Sequence, residues 1–105
     1  MNNDNLHIIR EEALELLKQL IATPSFSKEE DKTAEILFHF LSQRTVHVKQ
    51  AGHNVWARNV HYDENKPTIL LNSHHDTVKP NKGYTIDPFA PICENGKLFG
   101  LGSND

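Results

Sequence analysis

The most informative run in the sequence is Thr68-Ile69-Leu70-Leu71-Asn72-Ser73-His74-His75-Asp76-Thr77-Val78. It begins with apolar residues just after Pro67 and ends in a polar cluster just before Pro80. A short apolar run between turn-forming residues predicts a buried strand, central in a sheet. Because open α/β sheets bind ligands at the carboxyl ends of their strands, the polar cluster is the candidate functional site.

Three consecutive residues of that cluster carry the chemistry. If the strand continues through Asp76, side chains alternate between its faces, so His74 and Asp76 share one face and His75 points away. A carboxylate that accepts the second ring N–H of a ligating imidazole fixes its tautomer. His74 is therefore a candidate metal ligand, Asp76 its supporting carboxylate, and His75 a structural residue. A His-x-Asp triplet alone is weak evidence, and a sheet-capping histidine followed by a turn aspartate is the alternative.

Length and composition limit the size of the fold and the classes of protein to which the chain can belong. The chain has 105 residues, 37% hydrophobic and 24% charged, which is typical of one globular domain at most. Its formal charge of -3, with both signs intermixed, argues against a nucleic-acid partner. No run is long enough to span a membrane, and residues 1–5 carry no secretory signal. With a single cysteine, Cys93, there is no internal disulfide, so we expect a soluble protein in a reducing, cytoplasmic compartment.

Two helices are predicted before the apolar run. Apolar residues recur at helical spacing from Leu6 to Leu20, which predicts an amphipathic helix that ends at Thr23-Pro24-Ser25. Ser27 and Glu30 have the spacing of a capping box. A second helix is therefore expected to follow them, with one apolar face made of Ala34, Leu37, Phe38 and Leu41.

Strand signals flank the apolar run on both sides. Val46 and Val48 alternate with polar residues, and the turn 51–54 leads into the strand 55–58. Asn95-Gly96 is a strong hairpin signal between the short apolar pairs 92–93 and 98–99. Trp56 is expected in the core and Cys93 as a small buried hydrophobe. This order of helices and strands predicts an α/β layer structure.

The chain closes on Gly100-Leu101-Gly102-Ser103-Asn104-Asp105. Its glycines allow a tight turn, and the absence of a helix start and of a Lys-Ser/Thr pair excludes a phosphate-binding loop. Taken alone, Asp105 is a solvated loop carboxylate, although as a ligand it could bridge two metal ions about 3.5–4 Å apart. The scattered histidines His7, His39, His47, His53 and His61 are expected at or near the surface.

Together these motifs resemble the M20 metallopeptidase family. Residues 71–78 are similar to its His-x-Asp-Thr-Val signature, and Asp87-Pro88-Phe89 with residues 96–105 to its D-P-F … G-x-L-x-G-x-G-x-x-D continuation. Asn72-Ser73 and the final loop look closest to acetylornithine deacetylase-like members of the Bacteroidetes type, some of which act on N-succinylornithine. The fold that this resemblance implies is the N-terminal part of a mixed-sheet, zinc-peptidase-like α/β catalytic domain over residues 1–105, with the lid and dimerisation domain absent.

The resemblance also implies a site. His74 would bind one ion of a zinc (or cobalt) pair, Asp76 would be the supporting catalytic aspartate, and Asp105 would bridge both ions. The implied reaction is hydrolysis of a small-molecule N-acyl amino acid in arginine biosynthesis, by a full-length enzyme that forms a homodimer. The metal pair polarises the acyl carbonyl and lowers the pKa of a water. The family's general-base Glu and its remaining ligands have no counterpart in this sequence, so we expect the chain alone to bind metal weakly and to be inactive.

Other functions remain open at this point. A di- or tripeptidase or a succinyl-diaminopimelate desuccinylase of the same family would share these motifs. A catalytically inactive binding module is the non-enzymatic alternative, since the chain is long enough to hold a small core. Because its sheet would then have exposed edges, aggregation of the purified chain would favour a partial enzyme, and a cooperative melt of a monomer would favour the module.

Overall fold

A computed structural model describes residues 2–44 and 47–104 of the chain. In chain order, its elements are two helices and four strands: α1 (Asn3–Ala22), α2 (Asp31–Ser42), β1 (Val48–Ala51), β2 (Asn54–Ala57), β3 (Ile92–Glu94) and β4 (Lys97–Phe99). The strands pair as two antiparallel hairpins, β1 with β2 and β3 with β4. The described chain is thus a small mixed α/β arrangement, as the predicted class requires, and the prediction for Val46 lies outside the described residues.

Helix α1 agrees with its prediction at both ends. The Asn2 side chain caps it by accepting a hydrogen bond of 2.9 Å from the backbone N–H of Asn5. At the other end, the Thr23 hydroxyl donates to the carbonyl of Gln19 at 2.8 Å, and Pro24 follows. Because the residue before a proline is driven out of the helical region, the helix ends at the predicted Thr-Pro-Ser segment.

Helix α2 begins later than the sequence suggested, so the predicted capping box is wrong. Its N-cap is Glu30, which makes no capping hydrogen bond with its side chain. Lys28 has a φ of 73°, a left-handed conformation that excludes it from the first turn of a right-handed helix. The Glu30 carboxylate instead accepts a hydrogen bond of 2.9 Å from the backbone N–H of Lys28. Residues 25–30 are therefore an ordered connection rather than part of the helix.

Both hairpins form where the sequence places their turns. Gly52, in the turn between β1 and β2, has a φ of 59°. Asn95 and Gly96, between β3 and β4, have φ values of 51° and 73°. Two successive left-handed residues are what a type I′ turn requires, and Asn-Gly is the pair that adopts it most readily.

The buried residues lie at the end of α1, in the connection between the helices, at the start of α2 and in the loop after β4. They include Ile21, Ala34 and Leu101, with two buried polar residues, Ser25 and Thr33. Helix α2 packs against β1 and β2 and contacts α1. A pair formed by Arg44 and Glu12 at 3.2 Å adds a link between the end of α2 and the middle of α1. The core is small because it joins short elements.

The predicted buried strand at residues 68–78 is not present. Residues 68–76 carry no strand, and within the described chain this stretch pairs only at Thr77, in a single parallel bridge to Phe26. Ile69, Leu70 and Leu71 are 85%, 80% and 91% exposed. The physical reason is that a strand needs a neighbour for its backbone hydrogen bonds, and the described strands pair within their own hairpins.

Two predictions of burial are also wrong for side chains. Trp56 is 45% exposed, and Cys93 is exposed on β3. Both residues lie on two-stranded hairpins, in which each strand has a single neighbour. Apolar character identified these residues correctly as candidates for burial, but burial also needs a second layer.

Candidate metal centre

Hydrogen bonds, rather than a sheet, hold the polar cluster in place. We call residues 73–77 the site segment. The backbone N–H of Thr77 donates to the carbonyl of Ser25 at 2.8 Å, next to the bridge between Phe26 and Thr77. The buried Ser25 hydroxyl donates in turn to the carbonyl of His75 at 2.8 Å. The connection between α1 and α2 therefore fixes the backbone of the site segment.

His74 and Asp76 are in contact, as predicted, although the strand on which that prediction rested is not present. Nδ1 of His74 lies 3.1 Å from the carbonyl oxygen of Asp76 and 3.2 Å from its Oδ1. Both atoms are acceptors, so Nδ1 carries the proton and, in the neutral ring, the lone pair resides on Nε2. Nε2 of a neutral imidazole is a common metal ligand, and a carboxylate on Nδ1–H is its usual support.

The carboxylate of Asp76 has a second polar neighbour. The Ser27 hydroxyl, which donates to it, and the His74 ring lower the pKa of Asp76, although partial burial acts in the opposite direction. The carboxylate is therefore kept ionised, which suits an acceptor for the N–H of a ligating histidine. The sequence pattern predicted a different role for Ser27, as a helix cap, and no spacing signal connects it with a residue so far along the chain.

Both ring nitrogens of His75 have partners, which differ from those of His74. Nε2 lies 3.0 Å from the carbonyl oxygen of His53, and Nδ1 lies 2.8 Å from the hydroxyl of Thr33. A carbonyl only accepts, so Nε2 carries the proton, and Nδ1 of the neutral ring accepts from the Thr33 hydroxyl at 2.8 Å. The carbonyl of Glu30, at 3.2 Å, is a second and longer acceptor for the same hydroxyl proton. The prediction of a structural role for His75 is confirmed by these contacts, while Thr33 as its partner was missed.

The glycine loop, residues 100–104, lies against the site segment. The backbone N–H of Leu101 donates to the carbonyl of Pro88 at 2.7 Å, and the Leu101 side chain is buried. Gly102, at a φ of 79°, approaches Thr77 closely. The carbonyl of Pro88 therefore anchors the glycine loop.

A cavity of about 370 Å³ is lined by residues of both segments. Its lining includes Ser73, His74, His75 and Asp76, together with Gly102 and Ser103. The structure therefore brings the histidine motif and the glycine loop to one cavity. Asp105, the third residue predicted for the site, lies outside the described residues.

The described side chains at this cavity include one candidate metal ligand, His74, and the carboxylate that supports it, Asp76. Among residues 2–44 and 47–104, no group of three or more His, Cys, Asp or Glu side chains could by itself hold a metal ion. Tetrahedral zinc sites use three or four protein ligands. In the described part of the chain, His74 and Asp76 thus account for a fraction of such a site, and the weak metal binding expected from the sequence stays a prediction.

A second cluster lies beside the site segment. His53, in the turn of the first hairpin, has its Nδ1 2.6 Å from Oε2 of Glu30 and its Nε2 2.6 Å from Oδ1 of Asp31. The hydrogen bond with Asp31 is the largest cause that raises the pKa of His53, and the Asp31 and Glu30 charges act in the same direction against partial burial. This cluster ties the hairpin to the start of α2. The predicted surface location of His53 is confirmed, since it is partly exposed.

Two curated proteins are similar to this chain. The succinyl-diaminopimelate desuccinylase of Delftia acidovorans (strain DSM 14801 / SPH-1) is 28% identical over 102 residues, which cover 88% of this chain and 26% of that protein. The succinyl-diaminopimelate desuccinylase of Xylella fastidiosa (strain M23) is 30% identical over 100 residues, which cover 90% of this chain and 26% of that protein.

The chain therefore spans about a quarter of the length of the curated relatives it matches. Both relatives are named as desuccinylases, and neither name denotes the acetylornithine type that the sequence motifs favoured. No protein-family model matches the chain. In the part of the chain that the structure describes, neither helix has the length and apolar character needed to cross a membrane.

Proposed function

We propose that this chain is part of a metal-dependent hydrolase of the M20 family, which removes an acyl group from an N-acyl amino acid. The observation that carries the proposal is the contact of Nδ1 of His74 with Asp76, on a cavity that the glycine loop also lines. The similarity to two desuccinylases supports the same class of reaction.

Each residue has a role in this proposal. His74 would present Nε2 to a zinc or cobalt ion, and Asp76 would hold Nδ1–H and so orient the ring. Asp105 would bridge a pair of such ions. The bound metals would polarise the acyl carbonyl and lower the pKa of the attacking water. Ser27 would keep Asp76 ionised, and the glycine loop would close the cavity around the acyl group.

The acyl group and the amino acid define two candidate substrates. The motifs around His74 favour N-acetylornithine or N-succinylornithine, and hence a cytoplasmic role in arginine biosynthesis. The names of the curated relatives favour N-succinyl-diaminopimelate. Both candidates are N-acyl derivatives of a diamino acid, so the proposal extends to that shared chemistry. We further propose that residues 1–105 are the N-terminal portion of the catalytic domain of a homodimeric enzyme.

The coding DNA beyond the codon for Asp105 provides the first test. The proposal expects the reading frame to continue and to supply an acidic pair and a distal histidine as the missing ligands. A stop codon at that point would contradict an active enzyme, because the described residues hold too few ligands to close a zinc site.

The second test is hydrolysis by the protein as its gene encodes it. With Zn²⁺ or Co²⁺ supplied, we expect release of the free amine from N-acetylornithine, N-succinylornithine or N-succinyl-diaminopimelate, and loss of activity after chelation. His74→Ala should abolish turnover, and Asp76→Asn should lower it about 10- to 100-fold. His39→Ala, at an exposed position on α2, is the matched control and should remain active. Full activity of His74→Ala would overturn the proposal.

A further inference from the structure

The conformation of the site segment depends on hydrogen bonds that converge on His75. The segment has one backbone bridge to another element in the described chain, at Thr77. The carbonyl of His75 accepts from Ser25, Nδ1 accepts from Thr33, and Nε2 donates to the carbonyl of His53. One residue is thus attached to the connection after α1, to α2 and to the turn of the first hairpin.

The partners of His75 are buried or are held by further contacts. Ser25 is 3% exposed and Thr33 is fully buried, at 0%. The carbonyl partner belongs to His53, whose ring is itself held by Glu30 and Asp31 at 2.6 Å each. Because buried hydrogen bonds on fixed elements lose little by reorganisation, they define the orientation of the peptide units on either side of residue 75.

Those peptide units determine the geometry of the His74–Asp76 pair. Nδ1 of His74 contacts both the backbone carbonyl and the carboxylate of Asp76, at 3.1 Å and 3.2 Å. A rotation of the backbone at the intervening residue would move these acceptors relative to the ring. The pair therefore requires the backbone conformation that the contacts of His75 maintain.

We propose that His75 is a positioning residue, which holds His74 and Asp76 in the arrangement that selects the Nδ1–H tautomer of His74. The inference deepens the proposed function and rests on it in one respect. In the proposed function, the Nδ1–H tautomer presents Nε2 of His74 to a metal ion. Thr33 and the carbonyl of His53 act through their hydrogen bonds with His75.

Variants of Thr33 provide the sharpest test, because they leave all the histidines in place. Thr33→Val replaces the hydroxyl by a methyl group of similar size, and Thr33→Ser keeps the hydroxyl. Ala34→Gly is the matched control, since it also perturbs a fully buried position on α2 but removes no partner of His75. Folding of each 105-residue variant is checked by its amide spectrum and by urea denaturation.

The readout is the tautomer of each imidazole at pH 8, from long-range ¹H–¹⁵N spectra. We expect Nδ1–H for His74 and Nε2–H for His75 in the wild-type chain, in Thr33→Ser and in Ala34→Gly. In Thr33→Val, His74 should shift to a mixture of tautomers. An unchanged His74 in a folded Thr33→Val chain would overturn the inference, as would an equal shift in Ala34→Gly.

A second variant covers the case in which Thr33→Val fails to fold. His75→Asn keeps an acceptor near the position of Nδ1 for the Thr33 hydroxyl but loses the donor to His53. It should also produce a mixture of His74 tautomers, and an unchanged His74 in this variant would overturn the inference.

A Zn²⁺ titration separates this inference from the proposed function. The dissociation constant for Zn²⁺ should increase about tenfold in Thr33→Val, because removal of outer-shell support typically costs at least that much. If the wild-type chain and His74→Ala bind Zn²⁺ equally, the proposed function fails. The tautomer comparison needs no metal, so it still decides whether His75 positions His74.

Discussion

Gly102 lies against Thr77 so closely that a Cβ atom on the glycine would be 2.9 Å from Cγ2 of the threonine. Real Cβ atoms do not approach other atoms to this distance, and the φ of 79° at Gly102 is also strained for any other residue. Glycine is therefore required at this position for two independent reasons, and both concern the lining of the cavity that His74 also lines.

Gly102→Ala should lower the free energy of unfolding by about 2–3 kcal/mol, which combines the cost of a left-handed alanine with displacement of Thr77. Urea denaturation followed by circular dichroism measures the change. Gly52→Ala is the matched control, because its φ is 59° but no atom lies within 4 Å of the added Cβ. The control should lose about 1 kcal/mol. Equal losses in the two variants would contradict the close approach of the glycine loop.

The His53 cluster should make stability depend on pH. The hydrogen bond with Asp31 raises the pKa of His53 above its ordinary value of 6.5. A raised pKa in the folded state means that protonation favours folding, so this contribution is complete below pH 6.5 and is lost as the pH rises through the folded value.

We therefore expect the free energy of unfolding to decrease as the pH is raised above 6.5. Denaturant titrations at a series of pH values measure this change. His53→Asn should remove this decrease. His7→Asn, at an exposed position on α1, serves as the control and should keep it. A wild-type chain with no loss of stability above pH 6.5 would show that the pairing of His53 with Asp31 is not formed.

The exposure of residues 69–71 predicts a small effect of substitution on stability, whereas the sequence pattern, which indicates a buried strand, predicts a large one. Leu70 is 80% exposed, so Leu70→Lys should change the free energy of unfolding by less than about 0.5 kcal/mol. Ile21, at 3% exposure, is the contrasting position, and Ile21→Ala should cost about 2–4 kcal/mol. Severe destabilisation by Leu70→Lys would mean that the run is buried in the folded chain, as a central strand would be.

The sequence predicts local structure well in this chain because local signals determine it. Asn95-Gly96 specifies a turn by its own backbone preferences, and Pro24 ends α1 by a clash with its neighbour. The pairing of His74 with Asp76 also follows from local geometry, since the two residues are separated by one position.

Contacts between residues that are far apart in the sequence could not be predicted from local signals. The apolar character of Leu70 predicts burial but does not say which element supplies the covering surface. Ser27 has the spacing of a helix cap with Glu30, and only the folded chain shows that its hydroxyl donates to Asp76. Likewise, no pattern connects Thr33 with His75, because their contact depends on how α2 packs beside the site segment.

The most direct test of the account is a titration of the 105-residue chain with Zn²⁺, followed by the imidazole nitrogen resonances of its seven histidines. We predict that Nε2 of His74 shifts on addition of metal, while Nδ1 of His74 keeps its proton toward Asp76. His75 should not respond, because both of its nitrogens are already engaged. A His74 resonance that does not move, or moves no more than those of the exposed histidines His7 and His39, would contradict a metal centre at this cavity.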